Sequence, residues 1–225
     1  MLAASFNRFF WPRAAALQFL LLGLWWFVLY QPSLALLHLT AQIPFGLLPA
    51  RPDENSLEVD SAGEWKFIIP IHDVVRDSTQ SNAPVNVHAS DFSAPAQNVA
   101  PFATAWFVYL GLALNAPLSR ANLRRILLGL AIQTAVSSVA LLGYAEINAR
   151  GIVANMHRSP DALSLWLLKL AYHIDYLVVP YAGPFLVLLA THPGWRTFLT
   201  KGESPVEPKV EKAQSRDSRK PRRHK

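Results

Sequence analysis

Residues 17–30 read LQFLLLGLWWFVLY, an uncharged run with Arg8 and Arg13 ahead of it and Pro32 behind it. The whole apolar stretch 14–31 has the reach to cross roughly 30 Å of hydrocarbon at about 1.5 Å per helical residue. Residues 99–117, 126–145 and 174–190 form three further stretches of similar reach. A backbone in lipid must close its own hydrogen bonds, and nothing here shows the alternation, about ten residues at a time, of an outer-membrane barrel. Helices are therefore the expected spanning elements.

The charges between these stretches give the orientation. Arg8 and Arg13 precede the first, Arg120, Arg124 and Arg125 separate the second and third, and ten Lys or Arg lie between Arg196 and Lys225. Basic residues mark the cytoplasmic side of short loops, so both termini and the 118–125 turn read as cytoplasmic. The 50–98 segment holds only Arg51, Lys66 and Arg76 against eight acids, among them Asp53, Glu58, Asp60, Glu64 and Asp91, and reads as extracytoplasmic. The expected fold is an all-α transmembrane bundle of four helices with a small β-rich extracytoplasmic insertion between the first and second spans.

Composition narrows the class further. The net charge of +6 is concentrated in the tail from Arg196 onward, and the rest of the chain is close to neutral. The basicity thus belongs to an end beside the membrane and not to a nucleic-acid-binding face. Within that tail Arg219, Lys220, Arg222 and Arg223 are candidate contacts for anionic lipid head groups. There is no cysteine, which removes disulfides, thiolate metal sites and a cysteine nucleophile. The first span is read as an uncleaved anchor, since its apolar run is long for a signal peptide and no clear small-x-small site follows.

Along the chain the expected organisation is a cytoplasmic N-terminus over 1–13, a first span with an interfacial or outward-projecting helix over 14–48, an outer loop domain over 49–98, a three-span bundle over 99–192 and a disordered basic tail over 193–225. Residues 14–48 would reach about 50 Å if wholly helical, too far for one crossing, so Pro32 is expected to kink or end the helix. In the outer loop Leu57 and Val59 alternate with Glu58 and Asp60. After Ser61-Ala62-Gly63, the residues Trp65, Phe67, Ile69 and Ile71 fall on one face. That pattern predicts a hairpin, with Val85 and Val87 adding a third strand. Gly129, Ala135, Ser137, Ser138, Ala140 and Gly143 allow close helix approach in the third span, and Pro180 with Gly183-Pro184 should bend the fourth.

The residues most able to carry chemistry are Lys169, Tyr172, His173, Asp175 and Tyr176, ionisable or phenolic groups inside an apolar run. Lys169 and His173 share a helical face, whereas Asp175 lies about 160° from His173, so a direct His-Asp relay on one helix is not expected. These groups either reach for interfacial water or serve a partner contact or proton-handling site. Glu146 near the outer end of the third span could pair with Lys169 or with Arg150. His72, Asp73, His88 and Asp91 in the outer loop come without a hydrolase, HExxH, Walker or dinucleotide motif. Adjacent strand positions also point to opposite faces, against a metal site there. No catalytic, cofactor-binding or metal-binding set is therefore assigned.

The order of these features, together with the last span AYHIDYLVVPYAGPFLVLLA over 171–190, resembles the exosortase H-associated membrane proteins. The likeness covers most of 14–200 and is best over 172–185, with aromatics before a proline and a second proline at its centre. It implies a non-enzymatic accessory protein of the bacterial inner membrane, in contact with lipid and with a polytopic exosortase-like partner in protein sorting or export. It supplies no catalytic residue. Two other readings stay open: a small oligomeric transport component, and a membrane-embedded enzyme acting on a lipid-linked substrate.

Overall fold

The computed structural model describes residues 2–48, 56–76, 84–115, 119–156 and 162–195, with side chains within 12–71 and 89–195 of these. The chain runs α1 (Leu2–Leu24), α2 (Tyr30–Phe45), β1 (Leu57–Val59), β2 (Glu64–Arg76), β3 (Pro84–Pro95), α3 (Ala96–Ala113), α4 (Arg120–Met156), α5 (Ala162–His173) and α6 (Val179–Thr191). One π-helical turn, Trp25–Leu29, joins α1 to α2, and another, Ile174–Val178, joins α5 to α6.

Three helical stretches are long and apolar enough to cross a membrane: Pro12–Phe45, Arg120–Asn155 and Ala162–Thr191. They mark the chain as a multi-pass membrane protein with a small three-stranded sheet. The remaining expected crossing, residues 99–117, coincides largely with α3, which lies among α1, α2, α4 and α6. Ten of its 18 residues are buried, among them Val99, Phe102, Ala103, Trp106 and Tyr109. A helix covered by protein does not need a continuous apolar surface, and Gln97 and Asn98 in its first turn lower its hydropathy.

Pro32 was expected to kink or end its helix, yet the chain stays helical from Leu2 to Phe45. A proline ring crowds the carbonyl four residues before it. For Pro32 that residue is Val28 and for Pro180 it is Tyr176, and each lies within a π turn. The wider winding there lets the helix continue where an α-helical ladder would break. Ser33 ties the first turn together, accepting from Trp25 Nε1 at 2.9 Å and donating to the Tyr30 carbonyl at 2.8 Å.

Helix contacts rest on small residues facing larger ones. The Gln18 side chain fills the space beside Gly111, and the Tyr109 ring and hydroxyl fill the space beside Gly129. That hydroxyl donates toward the Ile126 carbonyl at 3.3 Å. Ser138 on α4 donates to Thr40 on α2 at 3.1 Å.

The sheet has the order β1-β2-β3 and is antiparallel throughout. Its first turn closes on Asp60, whose carboxylate accepts from Ala62 N at 2.8 Å and Glu64 N at 2.9 Å. Gly63 there has φ of 82°, a conformation that favours glycine. The β2–β3 register shifts between Pro70 and Asp73, as expected where a central strand contains a residue with no amide donor. Trp65, Phe67 and Ile69 alternate onto the buried face, as their spacing predicts. Phe67 meets Phe45 of α2 at 5.9 Å and Tyr144 of α4 at 6.2 Å between ring centres, and Trp65 meets His38 at 5.6 Å.

Replacing Gly129 by alanine puts a methyl group into the Tyr109 side chain. The expected cost is about 1–3 kcal/mol, as for other overpacked sites, read as a lower melting temperature in detergent. Gly151→Ala in the same helix meets nothing within 4 Å and should leave stability unchanged or slightly raised.

Candidate functional site

The arm formed by α5, its π turn and α6 sorts the candidate residues by face. No residue of α5 is buried. Lys169 and His173 are exposed on this arm beside Trp166, Leu170, Ile174 and Leu177, and His173 Nδ1 donates to the Lys169 carbonyl at 2.6 Å. Lys169 has no acidic partner among the described residues. Glu146 pairs instead within its own helix, with Arg150 at 3.8 Å, and both side chains are largely exposed. A pair of that kind contributes about 0–1 kcal/mol.

Tyr172 and Tyr176 turn the other way. Their rings stack at 5.4 Å with 12° between planes, and Tyr144 of α4 sits 6.0 and 5.9 Å from them. Phe102 of α3 completes the group at 5.8 Å from Tyr144 and 6.2 Å from Tyr176. The Asn98 side chain is the hydrogen-bonding neighbour of Tyr144. Asp175 lies within the π turn with its carboxylate against Gly143, Oδ1 being 3.2 Å from where a Cβ on that glycine would stand. Its Oδ2 is buried and has no hydrogen-bond partner among the described residues.

The structure thus brings Tyr172, Asp175 and Tyr176 together against α4 and keeps Lys169, His173 and Glu146 apart from them. Arg219, Lys220, Arg222 and Arg223 lie outside the described residues. His72 and Asp73 fall in β2 and His88 in β3, with their side chains outside the described set, while Asp91 is exposed.

Two positions not singled out from sequence join the site's polar groups. Gln133 on α4 is fully buried, its Nε2 within 3.5 Å of Ser137 Oγ and 3.9 Å from the Gly183 Cβ position on α6. His192, just beyond α6, is 3% exposed. Thr191 Oγ1 lies 2.8 Å from the Val187 carbonyl and 2.9 Å from His192 Nδ1. A carbonyl can only accept, so the single hydroxyl hydrogen goes to Val187 and Nδ1–H donates to the Thr191 oxygen. Nε2 is left as a buried acceptor without a partner among the described residues. The signal for Gln133 in the sequence is its spacing of four from Gly129 and Ser137 in an apolar helix. His192 has no such signal, because its partners come from the fold. Comparisons with protein-family models, curated proteins and solved structures found no match to this chain.

Burial, and then the Arg125 charge, push the His192 pKa below its ordinary value. An unfolded imidazole binds its proton near pH ~6.5, so the stability tied to neutral His192 is complete above that pH and is lost as pH falls through it. The melting temperature in detergent should therefore drop between about pH 7.5 and about pH 5.5, and His192→Gln should shrink that drop.

Proposed function

We propose that the chain is a non-enzymatic accessory protein of the bacterial inner membrane that docks a polytopic partner in an exosortase-type sorting or export system. In this reading both termini are cytoplasmic, the sheet is extracytoplasmic, and α3 is a fourth crossing that carries the chain from the sheet to the basic turn before α4. The charge sorting of the loops and the resemblance over 172–185 support it.

The observation that carries the reading is the outward placement of Lys169 and His173 on an arm whose first helix buries nothing. An ammonium group on the apolar flank of a membrane helix is costly unless it reaches water or meets an acceptor. A partner helix offering a carboxylate or carbonyl at that depth provides the acceptor, and the surrounding Trp166, Leu170 and Ile174 provide packing surface.

Purification of the full chain from its native membrane in gentle detergent should recover a polytopic partner in stoichiometric yield. Lys169→Glu combined with His173→Ala should lower that recovery about tenfold or more, the scale of losing one partner of a desolvated charge contact. Recovery of the wild-type chain alone contradicts the docking role.

A further inference from the structure

Among the described residues, the buried side-chain atoms without a protein partner include Gln18 Oε1, Trp106 Nε1 and Asn115 Oδ1, which lie on α1 or α3 or just past its end. Three others, Gln133 Oε1, Asp175 Oδ2 and His192 Nε2, line up where α4 meets residues 174–192. An unsatisfied buried polar atom costs a membrane protein several kcal/mol unless water or an ion supplies the missing bond. Three such atoms along one helix contact call for a common explanation.

Their spacing gives it. Arg125, whose charge acts on His192, Gly129, beside the Tyr109 hydroxyl, Gln133 and Ser137 recur every four residues and so form a stripe of successive neighbours that winds about 40° per step, about 120° in all, around α4. Gly143, against which the Asp175 carboxylate rests, lies 18 residues beyond Arg125, about 27 Å along the axis and close to the roughly 30 Å hydrocarbon thickness. From Arg125 to Ser137 successive positions are about 6 Å apart along the axis, a gap that hydrogen-bonded water bridges, and Gly143 lies about 9 Å further along the axis on the line of Arg125. Gly183 leaves a methyl-sized space beside Gln133, where a Cβ would stand 3.9 Å from Gln133 Nε2.

We propose that the seam between α4 and residues 174–192 is a hydrated proton path, with Asp175 as the group that takes up and releases the proton. An Asp175 carboxylate oxygen accepts a proton from hydronium on the outer side, one O–H bond forming as a hydronium O–H bond breaks, and then gives it to a water on the inner side, which becomes hydronium. Gln133, Ser137 and the Tyr109 hydroxyl orient the water file without changing charge. The His192 Nε2 lone pair accepts the proton at the cytoplasmic end and releases it to bulk water, helped by the Arg125 charge. No bond other than O–H or N–H changes, and the proton gradient across the membrane is the only driving force. The group set against Asp175 is Gly143 of α4, with Tyr172 and Tyr176 on its own arm stacked on Tyr144, while Lys169 and His173 are exposed and take no part. This activity belongs to the chain alone and does not depend on a docked partner.

The full chain reconstituted into liposomes with an entrapped pH-sensitive dye, under a potassium diffusion potential set by valinomycin, tests the path. The expected result is proton influx several-fold above protein-free vesicles. Asp175→Asn should return it to that background, Gln133→Leu should reduce it, and Gly151→Ala, whose added methyl group meets nothing within 4 Å, should leave it intact, each variant being checked for folding by its size-exclusion profile and circular dichroism. Influx equal to protein-free vesicles, or full influx in folded Asp175→Asn or folded Gln133→Leu, overturns the proposal.

Discussion

α3 is enclosed by α1, α2, α4 and α6 along most of its length, and it is also the direct continuation of β3. The sheet can therefore sit only where the first turn of α3 places it, and the outer helices take their positions from the surface α3 presents. Its buried side chains include Phe102 and Trp106, Tyr109 fills the space beside Gly129, and its own Gly111 admits Gln18. In lipid, where burial of apolar surface gives little drive to associate, such interlocking shapes and a few hydrogen bonds hold helices together.

The sheet depends on the same helices. A single sheet of three strands needs its apolar face covered to be stable, and here that face has no layer of its own to pack on. Phe67 instead lies between Phe92 at 5.0 Å, Phe45 at 5.9 Å and Tyr144 at 6.2 Å, so one aromatic column runs from the sheet into the bundle. Through Tyr144 the column continues to Tyr172 and Tyr176 on the last arm. This need for support explains why α4, at 37 residues, is far longer than a crossing requires.

The parts of this arrangement that local physics decides were legible in the sequence. Alternation over Trp65, Phe67 and Ile69 gave the hairpin face, and uncharged runs gave the apolar helices. Pro32 misled as a helix end because a π turn absorbs the crowding, and no residue pattern announces that turn. Asp175 was visible as an ionisable group in an apolar run, but its contact with Gly143 joins positions 32 residues apart. Gln133 and His192 escaped for the same reason, their significance lying in what the fold sets beside them. The helical spacing already put Asp175 about 160° from His173, and the structure has Lys169 and His173 exposed while Asp175 rests against Gly143, so that the proposed docking and the proposed proton transfer draw on different faces of one element.

The account turns on whether α3 carries the chain across the membrane while hidden inside the bundle. Because the chain contains no cysteine, single cysteines at Ser93 in β3 and Ser119 ahead of α4, both exposed positions, report on the two ends of that helix. Labelling intact spheroplasts with a membrane-impermeant maleimide should modify Ser93→Cys directly and Ser119→Cys only after the membrane is opened. Labelling of both positions from the same side contradicts it.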